Sequence, residues 1–555
     1  MSDDAEGLCE LCKNSCKTKC SKCKLVYYCS VEHQKEHWIE HKEHCKSYEI
    51  RENQTLGKFL VAKRDLERDE IIFVDSPLFF GPGPYKIEEE SPFSCVGCSK
   101  ILLDEIRSCP ECGWPACNFD CEGLKSPQMH GLECQILKLK PRKPNESDYD
   151  HFRFDTLIIL RALFLQKTNK KKWDALMNLE DHLNDRGPNN QIFKIVQEKV
   201  SFIQENFIKP LQLFEKENGQ VILPIVSADI MHKIYATLDV NATEISDPVD
   251  LFILYPTASL IEHNCVPNTC QIIDENNNGY KVTFRAAMPI KKGEHITSTY
   301  TNILWGTQER RRHLKESKYF SCICKRCSDP TELGTYFSAL LCLGSDEKPC
   351  KGIQLPTHPT EDNCLWMCNQ CHIKLPNKEI IDFVSHLNNE VNKELEKKPQ
   401  MEALEEFMNK LQIFLHPNHF LMYSVKHSLV QLYDVNGDIE ISNAFLEDKM
   451  KICNEMIQLT KKLDPGNARL ALYLAVLLNE QSMAKFKVLT RCLGSTSEEL
   501  ESNKELIQEV FSLFEENRRV LKYEREFEAG SKLLQVVESN EIKFKNWLSE
   551  HNVII

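Results

Sequence analysis

Two runs of cysteine and histidine constrain this chain more than anything else in its 555 residues. The first reads Cys9-x2-Cys12-x7-Cys20-x2-Cys23-x5-Cys29-x3-His33-x7-His41-x3-Cys45. The second reads Cys95-x2-Cys98-x10-Cys109-x2-Cys112-x4-Cys117-x3-Cys121-x8-His130-x3-Cys134. Each run offers eight ligands with the same order of spacings, enough for two closed tetrahedral zinc sites. A Cys-x2-Cys pair sets two sulfurs on one tight knuckle, and an x3 pair sets two ligands one helical turn apart on one face. With every coordination position filled, no place is left for water, so both modules are expected to be structural. Cys16, His37 and His44 are surplus to the count and are expected at the surface.

The remaining bulk features narrow the class. There are 26 cysteines, but only Cys453 and Cys492 lie beyond His372, so the C-terminal part must fold by ordinary packing. The acidic start, Met1-Ser2-Asp3-Asp4-Ala5-Glu6, lacks the order of a signal peptide, which favours thiolates on zinc in an intracellular chain over disulfides. The longest apolar run, Leu470 to Leu478, suits a packed helix rather than a membrane span. A net charge of -13 is the wrong sign for neutralising phosphates, and Arg310, Arg311 and Arg312 make only a short basic run. No direct nucleic-acid partner and no membrane are expected.

The ligand order, with Tyr28-Cys29-Ser30, His33-Gln34 and His37-Trp38-Ile39-Glu40-His41-Lys42 around it, resembles the MYND zinc finger. That resemblance implies interleaved sites: Cys9, Cys12, Cys29 and His33 on one zinc; Cys20, Cys23, His41 and Cys45 on the other. His33 stands where the family usually has cysteine, an exchange a tetrahedral site tolerates. Between the modules, Leu56 to Leu66 and Glu70 to Leu78 read as two short strands joined by a charged turn. Much later come Leu254-Tyr255-Pro256, Ser259-Leu260-Ile261-Glu262-His263-Asn264-Cys265-Val266-Pro267-Asn268 and Gly293-Glu294-His295-Ile296-Thr297-Ser298-Thr299-Tyr300. These resemble the halves of a SET domain, and Tyr319-Phe320-Ser321-Cys322-Ile323-Cys324-Lys325-Arg326-Cys327 resembles the post-SET motif. Together they resemble a SET and MYND domain (SMYD-type) protein lysine methyltransferase, of the arthropod SmydA type with an extra N-terminal finger.

The resemblance implies a further zinc on Cys265, Cys322, Cys324 and Cys327, about five ions in all. Cys342, Cys350, Cys368 and Cys371 make either a sixth site or ordinary buried cysteines. The implied cofactor is S-adenosylmethionine, with Lys58, Asn241, Ser259, Leu260, His263, Tyr300 and Phe320 at its site, and Tyr300 and Tyr319 lining a lysine channel. Several residues depart from the family pattern. Glu262 replaces the usual asparagine, a carboxylate that can only accept hydrogen bonds and is expected to repel the carboxylate of the cofactor. Lys318 stands where the channel tyrosine usually lies, four residues before Cys322, and Tyr319 lies three before it. Phe59 and Asp69 replace glycines.

The expected fold is α+β and multidomain: a zinc-stapled β SET core split by a MYND finger and a helical insert, followed by a helical, tetratricopeptide-like domain. The parts are an N-terminal finger over 5–48, the first SET part over 49–90, the second finger over 91–138, a helical insert over 139–248, the SET core over 249–310, the post-SET zinc region over 311–376 and a helical domain over 377–555. Apolar residues three and four apart carry the helical reading, as in Leu157-Ile158-Leu160-Ala162-Leu163 and Leu404-Phe407-Met408-Leu411. His416 and His419 are expected as caps or packed histidines. The expected activity is methylation of a lysine on a histone or other protein, with a part in transcriptional regulation. The competing reading is a catalytically weakened scaffold, favoured by Glu262 and Lys318. Expected partners are a lysine-containing peptide substrate and proline-containing peptides on the fingers, for a monomer in the nucleus, the cytoplasm or both.

Overall fold

A computed structural model describes residues 7–20, 26–83, 93–102, 106–127, 129–186, 190–224, 226–245, 251–274, 279–345, 348–432, 443–492, 503–524 and 527–551. Cys23, named from the sequence, lies outside the described residues, as does the side chain of His44.

The SET core is a set of small sheets from ten strands: β1 Tyr48–Asn53, β2 Gly57–Ala62, β3 Ile71–Asp75, β4 Phe79–Pro82, β5 Thr243–Ile245, β6 Leu251–Leu254, β7 Glu262–His263, β8 Thr269–Asp274, β9 Lys281–Ala286 and β10 Thr297–Ser298. The strands read at 56–66 and 70–78 are present, but they pair with other strands and not with each other. β2 lies antiparallel to β1, while β3 takes the edge beside β9 in the order β8-β9-β3. β1 went unread because Glu49, Arg51 and Glu52 obscure its apolar content. β9 alternates buried and accessible residues, the period-two signature of a strand with one face on a core. That core holds Leu60, Ile72, Phe73, Tyr255, Val282, Phe284 and Ile296. Asp69, in the turn before β3, has φ of 69°, the left-handed region that favours glycine but that Asp also visits. Its carboxylate pairs with Lys522 at 3.0 Å.

The insert centres on helix Leu157–Thr168, whose residues from Leu157 to Leu165 are all buried, as a helix apolar on every side requires. It shares one core with the second finger, joining Leu160, Leu163 and Phe164 to Val96, Trp114 and Leu137. Beyond the post-SET segment a four-stranded sheet leads into the helices Asn377–Glu396, Met401–Leu411, Phe420–Leu432, Asn443–Leu463, Ala471–Cys492, Lys504–Val520 and Glu528–Glu550. His419 is fully buried and accepts the Leu421 N–H, and His416 stacks on Tyr336, so both histidines are packed. The helical part reaches the SET core through Arg469, whose Nη2 donates to Ser298 Oγ at 3.3 Å, and through Arg68 Nη2 on the Gly466 carbonyl at 3.4 Å. Among the described residues no helix is long and apolar enough to cross a membrane.

Candidate active site and metal centres

Helix Val31–Cys45 carries His33, His41 and Cys45, with Cys29 two residues ahead of it. Cys9, Cys12, Cys29 and His33 bring one ligand atom each to within 4.8 Å of one another. Cys20, His41 and Cys45 are buried, and the Cys20 and Cys45 sulfurs lie 3.8 Å apart. His37 is a correction to the surface reading. Spacing of four puts it on the same helical stripe as His33 and His41, so its Nδ1 meets the Tyr28 hydroxyl at 2.9 Å and its ring stacks on His41.

The second module forms two interleaved quartets, Cys95, Cys98, Cys117 and Cys121, then Cys109, Cys112, His130 and Cys134. His130 turns Nε2 to Cys112 and Nδ1 to Glu133 Oε1 at 3.3 Å. Arg161, from the insert, donates to both Glu133 oxygens at 2.9 Å. A carboxylate behind a ligating histidine fixes its tautomer and raises its basicity, and Arg161 pairs with that carboxylate in the core. Glu133 was readable, three residues past His130 on one helix; Arg161 was not.

Cys265, Cys322, Cys324 and Cys327 also converge. Arg310, read as part of a short basic run, is fully buried, with Nε on Cys265 Sγ at 3.2 Å and Nη2 on Cys327 Sγ at 3.6 Å. Four thiolates on a divalent ion carry net negative charge, which the guanidinium offsets, while Glu332 balances Arg310 and Arg326. Arg311 is buried as well, and Arg312 pairs with Glu309, so the run offers no basic face.

Above this metal centre, β7 and β10 lie parallel with His263 opposite Ser298. His263 Nδ1 accepts the Tyr300 N–H at 2.9 Å, which requires a neutral ring, and burial holds its pKa down to about 4. The Tyr300 hydroxyl donates to the Ile261 carbonyl, and burial pushes its pKa up. Tyr300 and Phe320 meet edge to face at 6.5 Å, with His263 5.4 Å from Tyr300 and 6.0 Å from Phe320. Ser259 Oγ donates to the Tyr255 carbonyl at 2.6 Å, and Leu260 is half-buried in the same turn. Asp75, which the sequence did not single out, holds that turn by accepting the Thr257 and Ala258 N–H groups.

A SET domain model matches residues 57–301 and a MYND finger model residues 9–45. The chain belongs to the SMYD-type family of SET and MYND domain proteins. It is 28% identical over 356 residues to SET domain-containing protein SmydA-8, isoform A, of Drosophila melanogaster, covering 62% of this chain and 70% of that protein. It is 27% identical over 278 residues to histone-lysine N-methyltransferase SMYD3 of Homo sapiens, covering 49% and 59%. With N-lysine methyltransferase SMYD2 of Homo sapiens the identity is 25% over 216 residues, covering 38% and 45%. Among solved structures, the SET domain of LSMT bound to lysine and AdoHcy is 12% identical, with 92% of each chain covered; its TM-score of 0.25 carries no argument.

Most departures of this SMYD-type chain gather in two places, with His33 and Asp69 apart from both. Glu262 Oε1 lies 2.8 Å from His295 Nδ1, and the His295 ring stacks on Phe59 at 4.7 Å. Glu262 and Phe59 thus meet through His295, and Glu262 Oε2 is buried with no hydrogen-bond partner among the described residues. At the other place Tyr319 has φ of 60°, a strained conformation for a bulky residue. The twist sends Phe320 to Tyr300 and Tyr319 to the insert, where it stacks on His182 under the Arg186 guanidinium. Lys318 Nζ caps the helix Ala228–Asn241 at the carbonyls of Asp239 and Val240, 3.0 and 2.8 Å away. Burial holds its pKa below the ordinary lysine value. Asn241 donates Nδ2 to the carbonyls of Glu180 and Thr237, and its Oδ1 accepts no hydrogen bond from a described residue.

Proposed function

We propose that the chain transfers a methyl group from S-adenosylmethionine to the side-chain amine of a lysine on a protein substrate. The observation that carries this reading is the meeting of Tyr300, Phe320 and His263 at one point, beside a segment pinned by Cys265, Cys322, Cys324 and Cys327. Two aromatic rings and a neutral imidazole disfavour an ammonium by desolvation, so an entering lysine sheds its proton to solvent and presents a lone pair. Tyr300, fixed through Ile261, orients that amine and keeps water from it.

The side chains fit the charged arm of the cofactor. The Lys58 side chain makes no hydrogen bond or ion pair with a described residue and offers a cation for its carboxylate. Glu262 Oε2, buried and without a donor, offers an acceptor for its ammonium, and Asn241 Oδ1 offers another. His295 at Glu262 Oε1 offsets part of the repulsion that the sequence implies. When bound, the cofactor supplies an electrophilic methyl on sulfonium.

Phe59, Glu262 and His295 favour a second reading, in which the stack closes the cofactor site and the chain acts as an adaptor through its fingers and a tetratricopeptide-like helical part. Proline-containing peptides on the fingers, a histone or other protein substrate, a part in transcriptional regulation and a nuclear or cytoplasmic setting belong to these proposals. Calorimetric titration of zinc-loaded protein with S-adenosylmethionine, beside Glu262→Asn, decides between them. Saturable one-to-one binding by the natural chain is expected. No binding by the natural chain with recovery in the variant would establish the adaptor reading.

A further inference from the structure

A fourth cysteine-rich region lies outside both fingers and the post-SET motif, and nothing in methyl transfer calls for it. Cys342, Cys350, Cys368 and Cys371 bring their sulfurs within 4.8 Å of one another, with Cys342 to Cys371 at 3.5 Å and Cys350 to Cys368 at 3.7 Å. Four sulfurs about 2.3 Å from a central zinc stand about 3.8 Å apart along the edges of a tetrahedron. Sulfur pairs of the second finger, 3.8 and 3.9 Å apart, follow the same geometry.

The backbone around these sulfurs is arranged for thiolates. Gly344 N–H points at Cys342 Sγ at 3.4 Å, Gly352 N–H at Cys350 Sγ at 3.3 Å, and the N–H groups of Gln370 and Cys371 at Cys368 Sγ at 3.3 and 3.5 Å. Gln354 Nε2 adds a donor to Cys342 at 3.7 Å. Such donors stabilise charge on sulfur and mean little to neutral thiols packed as apolar groups. Both glycines are required by the geometry. Gly344 has φ of 77°, and a Cβ on Gly352 would stand 2.5 Å from Cys368 Sγ. Cys371 is exposed and Cys350 half-buried, which also sets this cluster apart from core cysteines.

The cluster sits at one end of the sheet formed by Leu340–Leu341, Ile353–Pro356, Leu365–Cys368 and Lys374–Pro376. That sheet is where the helices attach. Leu341 N–H donates to the Phe414 carbonyl at 2.8 Å, Trp366 Nε1 to Asn377 Oδ1 at 2.8 Å, and Leu340 and Trp366 share a core with Leu387, Leu404 and Leu429. We propose that Cys342, Cys350, Cys368 and Cys371 bind a structural zinc ion that staples this sheet and so fixes the first helices, 377–432, to the post-SET side of the molecule. All four positions are thiolate, so the ion has no open place for substrate and the site is not catalytic.

The test is zinc content per chain by mass spectrometry on the full-length protein, for Cys371→Ser, Cys342→Ser and the double variant. Each single change is expected to remove one ion, and the double change the same one ion. Cys371→His is expected to keep it. Cys371 is exposed, so its variant keeps the test available if Cys342→Ser fails to fold. Hydrogen exchange over 377–432 is expected to quicken in Cys371→Ser while exchange over 57–75 stays as it is. Unchanged zinc in Cys371→Ser, loss of two ions in the double variant, or two disulfides in place of four titratable thiols would overturn the site. Unchanged exchange over 377–432 would overturn its stapling role.

Discussion

The two fingers share one ligand order and stand in different surroundings. Around the second zinc position of the first finger, the buried core among the described residues is Cys20, Tyr28 and Cys45 with Val26 against it, so their side-chain packing contributes little there beyond the metal. The second finger lies inside a core that runs through the helix Leu157–Thr168, and its histidine is backed by Glu133 and Arg161. Ligand spacing therefore specifies where a metal goes, while the neighbours decide how far the fold depends on it. A small module with almost no apolar core folds with its metal or not at all.

Zinc removal should separate the two most strongly. Structural zinc contributes about 10–16 kcal/mol to such modules. After chelation, helix Val31–Cys45 is expected to exchange its amide hydrogens like an unfolded chain, whereas Leu157–Thr168 keeps most of its protection. Equal loss in both would break the contrast.

The next effect belongs to the second finger alone. Arg161→Met leaves the Glu133 carboxylate buried without its cation, and breaking a buried pair in this way costs about 3–5 kcal/mol. Urea unfolding of the full chain measures it, and adding Glu133→Gln should recover part of the loss because the uncompensated charge is gone. A fall below about 1 kcal/mol would mean that the Arg161–Glu133 pair contributes little to the fold. Glu133→Gln by itself should weaken zinc at His130 by about 10–100-fold, read by competition with a chromophoric chelator, and leave the first finger as it was.

What the sequence made legible was local. Cys-x2-Cys knuckles, x3 ligand pairs and the apolar faces of helices are set by residues a few positions apart, and the structure brings the named quartets together wherever all four residues are described. The SET halves were readable through motif resemblance, and the pairing of the strands at 57–62 and 71–75 was not, because partners such as Tyr48–Asn53 carry too much charge to announce themselves. The unread parts are contacts between distant positions. Arg310 looked like a basic run because its neighbours are basic, yet its partners Cys265 and Glu332 lie 45 and 22 residues away. Phe59 and Glu262 were separate oddities until folding joined them through His295. Lys318 and Tyr319 posed a one-residue ambiguity that only the left-handed turn at Tyr319 resolves.

The mildest test returns to the first finger and asks how much of its helix is held by anything besides metal. Ser30 precedes helix Val31–Cys45 in extended conformation, and its Oγ accepts the His33 N–H at 3.2 Å. Removing such a cap costs about 1 kcal/mol in an ordinary helix. Here the capped residue is itself a ligand, lying 3.1 Å from Cys29 Sγ, so the cap and the metal hold the same turn. If zinc dominates, Ser30→Ala should leave the stability of the loaded finger within about 0.5 kcal/mol and show its full cost only when zinc is limiting. Melting the protein at two free-zinc levels distinguishes these cases. A full loss at saturating zinc would mean that the helix, not the ion, organises the ligands, and the contrast between the two fingers would narrow accordingly.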